Sequence, residues 1–202
     1  MPKSWTIWIW IAAAPWALAS GRGKEETPSV LVAYDTRSGN TERLARAFAE
    51  GVSRSGAVRA LVRPWKEVGD EEILAASGIV LGSPVHWGSL SAESKAFLER
   101  VGDALVRAKE LGPGSTPRLR TAGAFVSGGA VSSGKELARL AILAAFLNMR
   151  FIAVGGEEAD GFGTLGAQAT TGESDPGLSE KELSEARRFG ERFATVTLVL
   201  VQ

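Results

Sequence analysis

From Ser29 onward, short apolar runs alternate with longer stretches in which apolar positions recur every three or four residues. "SVLVAY" (29–34) is an unbroken apolar run and reads as a strand buried on both faces. "NTERLARAFAEGVSRSG" (40–56) places Leu44, Ala45, Phe48 and Val52 on one helical face, and Gly56 stands where that helix should end. "AVRALV" (57–62) is a second strand, a linking segment with a short helix follows, and "GIVLGS" (78–83) is a third strand. The next helix, "SAESKAFLERVGDALVRAKELG", has Ser91 as its N-cap and the Gly112-Pro113-Gly114 run as its stop. "TAGAFVS" (121–127), the largely apolar helix "GKELARLAILAAFLNM" and "RFIAVG" (150–155) complete the alternation. The chain closes on "SEKELSEARRFGERFATVTLVL", a helix with an apolar face, where Ser179 and Glu182 have capping-box spacing. Between the last strand and that helix, 156–178 is Gly-rich and reads as an ordered insertion or a mobile loop.

Strands that alternate with helices predict an α/β fold: an open, doubly wound, five-stranded parallel sheet with helices on both faces. Ligands in such sheets bind beyond the carboxyl ends of the strands. The loops after the first, third and fourth strands are therefore the places to look. The domain is expected to occupy 29–202, with 20–28 as a linker.

The first 19 residues have a different pattern. Lys3 is followed by a 15-residue apolar run from Trp5 to Ala19, ending in Ala17-Leu18-Ala19. A basic start, an apolar middle and an A-x-A end make a secretory signal peptide, which predicts an exported protein, periplasmic or extracellular. The rival reading is an uncleaved membrane anchor, although the run is shorter than the roughly 18 residues expected of a spanning helix. A cytoplasmic protein is the remaining alternative.

Composition narrows the chemistry. The 23 basic and 23 acidic residues balance, so neither a nucleic-acid footprint nor an acidic solvating tail is present. Cysteine is absent and His86 is the single histidine, which leaves no thiolate chemistry and no multi-histidine metal site. Reactive chemistry has to come from a bound group.

The loop after the first strand suggests which one. "DTRSGNT" sets Thr36, Ser38 and Thr41 around Gly39 at the start of a helix. Helix N-termini offer unpaired N–H groups and a partial positive charge, so a phosphate monoester is favoured there. N-capping with a tight turn explains the same residues without a ligand. Gly129-x-x-x-x-Gly134-Lys135 approaches a P-loop, but Glu136 stands where Ser or Thr would bind magnesium. A dinucleotide fingerprint and a G-x-S-x-G elbow are both missing.

The spacing Ser/Thr-x-Ser/Thr-Gly-x-Thr after a first strand resembles the phosphate loop of flavodoxins. "GIVLGSPVHWGSLSAESKAFLERV", "AGAFVSGGAVSSGKE" and "GTLGAQATTGESDPGLSEKELSEARRFGERFA" resemble, in order, successive segments of the flavodoxin-like NAD(P)H:quinone oxidoreductases of the tryptophan-repressor-binding-protein type. The resemblance spans about residues 29 to 200. It implies non-covalent FMN. Thr36, Arg37, Ser38, Gly39, Asn40 and Thr41 would hold the phosphate. Pro84, Val85, His86, Trp87 and Gly88 would flank the isoalloxazine, and Ser127, Gly128, Gly129 and Ala130 would face its pyrimidine edge. His86 is read either as a ring contact or as a loop residue bonded to backbone, Arg37 as facing phosphate or solvent, and Tyr34 as core. Where the family has one or two histidines at the end of the fourth helix, this chain has Asn148 and Met149.

The expected reaction is hydride transfer from NAD(P)H to the flavin, then two-electron reduction of a quinone or similar acceptor. The flavin carries the chemistry, so no catalytic side chain and no metal is assigned. The alternative is a non-enzymatic FMN electron carrier, possibly exported and reduced by a membrane partner. A homo-oligomer is compatible with the family, a membrane contact follows only from an uncleaved leader, and no nucleic-acid partner is expected.

Overall fold

The computed structural model describes residues 27–172 and 177–201. The leader 1–19 and most of the linker lie outside the described residues. Five strands form the central sheet: β1 (Ser29–Tyr34), β2 (Arg59–Pro64), β3 (Gly78–His86), β5 (Thr121–Gly128) and β6 (Ile152–Ala153), in the spatial order β2-β1-β3-β5-β6. Every pairing along this path is parallel. Helices α1 (Asn40–Arg54) and α5 (Glu180–Val201) pack together on one face of the sheet. The short α2 (Asp70–Ala75), with α3 (Ala92–Arg107) and α4 (Lys135–Asn148), covers the other. This is the doubly wound arrangement with the chain reversing direction between β1 and β3, which opens a crevice beyond their carboxyl ends.

Alternation along the buried strands divides the core. Leu31, Ala33, Ile79 and Leu81 face α3 and α4, whereas Val30, Val32 and Val80 face α1 and α5. On the latter side Phe48 is fully buried and lies 5.0 Å from Phe189, 5.5 Å from Phe193 and 6.2 Å from Phe125, ring centre to ring centre. Truncating a buried phenylalanine of this kind costs about 3–5 kcal/mol. The two helices approach so closely that a Cβ on Gly190 would overlap the Phe48 carbonyl, and one on Gly51 the Arg187 carbonyl.

Three elements differ from the sequence expectation. The second strand runs from Arg59 to Pro64, two residues later than its apolar run suggests. The third helix stops at Arg107, five residues before the glycine stop, because Lys109 turns left-handed with φ 58°. The fifth strand is divided. Only Ile152 and Ala153 pair with the start of β5, and β9 (Gln168–Thr170) pairs in parallel with its far end. Residues 154–167 make an excursion that includes a small hairpin, β7 (Gly156–Glu157) with β8 (Gly163–Thr164). Two close approaches permit this detour. A Cβ on Gly155 would overlap the Thr164 carbonyl, and one on Gly166 the Ala124 carbonyl. The first part of the Gly-rich segment is thus an ordered insertion that returns to the sheet.

Candidate functional site

The loop after β1 is built from its own side chains. The Thr36 hydroxyl accepts from the Gly39 N–H at 3.0 Å, and the Asn40 amide donates to the Ser38 hydroxyl at 2.9 Å. Gly39 caps α1 in a left-handed conformation, φ 86°, and a Cβ there would meet nothing within 4 Å. The backbone therefore turns over open space at the N-terminus of a 15-residue helix, where N–H groups converge and the helix dipole favours an anion. Arg37 and Ser38 are exposed, while Asn40 and Thr41 are buried. The Thr41 hydroxyl is committed elsewhere: it shares a 2.9 Å hydrogen bond with the hydroxyl of Ser127 on β5.

The loop after the third strand is a tight hairpin. β3 extends three residues past its apolar run, so that Pro84 pairs with Ser127, and it then pairs antiparallel with β4 (Ser89–Leu90) through Val85–Leu90 and His86–Ser89. Trp87 and Gly88 are the two turn residues, with φ 52° and φ 82°. Positive φ at both central positions defines a turn that usually carries Asn-Gly, and for a bulky residue it is strained. Trp87 holds that conformation with its side chain fully exposed, 105% relative to a reference residue. An indole this exposed gains no packing from the described residues to repay the strain, and strain of this kind concentrates at ligand sites. His86 closes the hairpin strand and is half-buried.

The third loop, 129–134, is anchored from both sides. Gly134 begins α4 at φ 85°, and a Cβ there would overlap the backbone of Gly88. Gly128 is buried; a Cβ on it would lie 2.6 Å from the Ser133 hydroxyl and 3.4 Å from both the Lys135 side chain and Val85. Gly129 and Ala130 are exposed. Beneath the loop Lys135 is buried and donates to the Thr170 hydroxyl on β9. The Thr170 N–H in turn donates to Glu182 at 2.6 Å, and Glu182 also completes the capping box with Ser179. Burial pushes the Lys135 ammonium below its usual range, with Arg139 adding to the effect and Glu136 and Glu182 opposing it. Burial acts to raise the Glu182 carboxyl, but the donors from Thr170 and Ser179 hold it below the usual carboxylate range.

All fifteen sequence-predicted positions thus fall in three segments at the carboxyl ends of β1, β3 and β5, joined by the Thr41–Ser127 bond, the Pro84–Ser127 pairing and the Gly88–Gly134 contact. Two further residues belong to this region. Asp35 accepts from the Ser91 hydroxyl at 2.7 Å, which ties the end of β1 to the N-cap of α3. Lys135 was visible in the sequence only as part of an imperfect P-loop; the structure makes it the strut of the third loop. The arrangement suits a phosphate-bearing planar mononucleotide. It has an anion-binding helix end over open space, an exposed aromatic held at a cost, and a buried Ser133 hydroxyl that has no hydrogen-bond partner among the described residues.

Fold and site together define a mononucleotide-binding α/β protein of the 2-1-3-4-5 sheet order. A family model described as NADPH-dependent FMN reductase matches residues 62–160. A flavodoxin of Aquifex aeolicus is 31% identical over 175 residues, covering 85% of this chain and 88% of that protein. An NAD(P)H dehydrogenase (quinone) of Paracoccus denitrificans is 25% identical, covering 85% of this chain and 95% of its own length. Among solved structures, a WrbA-like flavodoxin from Agrobacterium tumefaciens superposes with a TM-score of 0.65 at 20% identity, over 86% of this chain and 99% of the other. The chain belongs to the flavodoxin-like family of FMN proteins.

Proposed function

We propose that this protein is an FMN-dependent oxidoreductase that takes hydride from NAD(P)H and passes two electrons to a quinone or similar acceptor. The observation that carries the reading is Trp87, held fully exposed on a strained hairpin turn beside the cofactor loops, where an aromatic wall for a planar ring and its stacking partners is needed. Similarity to proteins named NAD(P)H dehydrogenase (quinone) and to the FMN reductase model supports it. Bound FMN supplies the hydride and electron chemistry. The chain's residues bind and orient. The Gly39 turn and the first turn of α1 receive the phosphate, with Thr36 and Ser38 shaping that turn. Val85, Trp87 and Gly88 flank the ring, and the loop from Ser127 to Ala130 meets its pyrimidine edge.

A non-enzymatic electron carrier is the second reading, favoured by the 31% identity to a flavodoxin. The balanced charge of this chain, 23 acids against 23 bases, gives a carrier little electrostatic means of docking on a basic partner. Export through the leader remains part of the proposal for either reading.

An absorption titration separates the two. The purified protein is loaded with FMN and mixed with NADPH or NADH under anaerobic conditions, then with a benzoquinone. Bleaching of the flavin bands by a nicotinamide and their return with quinone is the expected result. Flavin that binds but stays oxidised assigns the carrier role.

A further inference from the structure

The end of the sheet opposite the cofactor loops carries a second surface. The backbone bonds Arg59 N–H to Pro28, Ser77 N–H to Ser29, Thr121 N–H to Ser77 and Ile152 N–H to Arg120 set the entries of the strands side by side there. Helices α3, α4 and α5 end there too, each with an exposed aliphatic residue in its last turn: Val106, Leu147, and the pair Val199 and Val201. Leu119 and Ile152 lie beside the strand entries. These six account for most of the eleven exposed large hydrophobic residues among the described ones, so the distribution is uneven.

The same end is basic. The connections 108–120 and 149–151 hold Lys109, Arg118, Arg120 and Arg150 against the single acid Glu110. Arg120, itself buried, takes up Glu110. Arg59, Lys109 and Arg150 have no ion pair among the described residues, whereas Arg118 is committed to the Leu74 and Ala75 carbonyls and the Ser77 hydroxyl. Lys109 and Arg150 sit just past α3 and α4 at φ 58° and φ 68°, positions where glycine is the unstrained choice. Cations near helix C-termini are ordinary. That accounts for Arg118 too, whose guanidinium donates to the Leu74 and Ala75 carbonyls at the end of α2, but not for Arg59 or the exposed aliphatic residues. Arg59 and Arg118 also line a cleft of about 430 Å³ with Ser77, where the chain enters β1.

We propose that this end docks on an anionic phospholipid surface, its aliphatic residues lying at headgroup depth and its free cations Arg59, Lys109 and Arg150 on phosphates. The chain itself favours lipid over a protein partner. Residues 1–26 join the domain at this end, and they include the apolar run from Trp5 to Ala19. An uncleaved leader that enters or approaches a bilayer delivers this face to it, so the inference rests on the anchor reading of residues 1–19. The cofactor crevice, at the other end of the strands, then points away from the lipid. The inference is independent of the ligand assigned to that crevice.

The chain has no cysteine, so single nitroxide reporters can be placed at Leu119→Cys and Val131→Cys in the full-length protein. Accessibility to oxygen and to a water-soluble nickel chelate is read by power-saturation electron paramagnetic resonance. Vesicles of phosphatidylglycerol and phosphatidylcholine should raise oxygen access and lower chelate access at 119 at least threefold, leaving 131 unchanged. Phosphatidylcholine alone, or 1 M salt, should remove most of that change. The double variant K109E/R150E and, separately, V199S/V201S should each abolish it while FMN binding and the circular dichroism spectrum stay as in the parent. A reporter at 119 that remains as wet as one at 131 on vesicle-bound protein overturns the proposal, leaving the leader as a plain tether. So does a charge-reversed variant that still docks, or protection of 119 without vesicles at doubled mass, which would give the face to a second copy.

Discussion

Thr41, in the first turn of α1, and Ser127, near the end of β5, share a 2.9 Å hydrogen bond across 86 residues of sequence. Both are buried, so the bond fixes the phosphate loop against the strand that leads into the third loop. Thr41→Val keeps the shape and leaves one hydroxyl unpaired. The expected cost is about 1–2 kcal/mol of stability, together with weaker FMN binding because two loops lose their common register. Denaturant midpoints and a fluorescence titration with FMN check this. Ser127→Ala added to Thr41→Val should restore part of the stability, because no buried hydroxyl is then left alone. A double variant that is additively worse would show that the pair is not coupled.

Gly39 separates backbone strain from ligand contact. Alanine at φ 86° costs about 1–2 kcal/mol, and no protein atom lies within 4 Å of the added methyl. Gly39→Ala should therefore lower the melting temperature by a few degrees, at about 2–4 °C per kcal/mol for a domain of this size. FMN affinity should fall by far more, at least tenfold. Equal losses in the two measurements would mean that the space over Gly39 is not where the ligand sits.

Trp87 gives the opposite sign. Replacing it with glycine relieves the left-handed strain at φ 52° and removes no packing. Trp87→Gly should leave stability unchanged or raise it by up to about 1 kcal/mol, yet weaken FMN binding and reduce the quenching of bound flavin fluorescence. Loss of stability would instead make the indole part of the fold.

How far the sequence discloses this molecule depends on which interactions are local. The order of strands and helices, the Ser91 cap and the Ser179–Glu182 box follow from nearby residues, and they stand as read. The divided fifth strand does not. "RFIAVG" has the composition of one strand, but Arg150 turns left-handed and only two of its residues pair; the rest of the edge is supplied by Gln168–Thr170 from beyond the insertion. The three loops stand at the carboxyl ends of β1, β3 and β5 because the alternation of strands and helices places them there; the hydroxyls around Gly39 alone do not separate a phosphate site from a cap. Asp35 and Lys135 were not legible, since their partners Ser91 and Thr170 are 56 and 35 residues away.

Gly190 tests a contact the sequence does not disclose. It sits mid-helix in α5, where alanine would ordinarily gain about 1 kcal/mol. Here the added methyl would overlap the carbonyl of Phe48, a backbone atom with no rotamer to change. Gly190→Ala should destabilise the domain by more than about 2 kcal/mol, seen as a lower urea midpoint with an unchanged slope. A gain in stability would mean that α1 and α5 can separate freely.

Lys135 carries the prediction that reaches furthest into function. Its ammonium is buried at the positive end of α4, and burial lowers its pKa, helped by Arg139 and resisted by Glu136 and Glu182. An unfolded chain holds that proton more tightly than the folded one. The charge therefore penalises folding fully below the folded pKa, and the penalty fades as pH rises toward the ordinary lysine value near ~10.4. Lys135→Met, similar in shape, removes the penalty but also the donor to Thr170. The variant should match or exceed the parent in stability at pH 7, and any advantage should shrink as pH rises toward the ordinary lysine value of about 10.4. An advantage that instead grows with pH would contradict the buried charge. The cofactor supplies a separate readout. Lys135 lies against Gly128, which the site assignment puts at the pyrimidine edge of the flavin. Reduction adds negative charge there, and a nearby cation favours it. In Lys135→Met the two-electron midpoint potential should become more negative, by about 30 mV for each ~1.4 kcal/mol of lost attraction. A potential that stays within a few millivolts while the pH-dependent stability changes as described would leave Lys135 as a strut for the loop and nothing more.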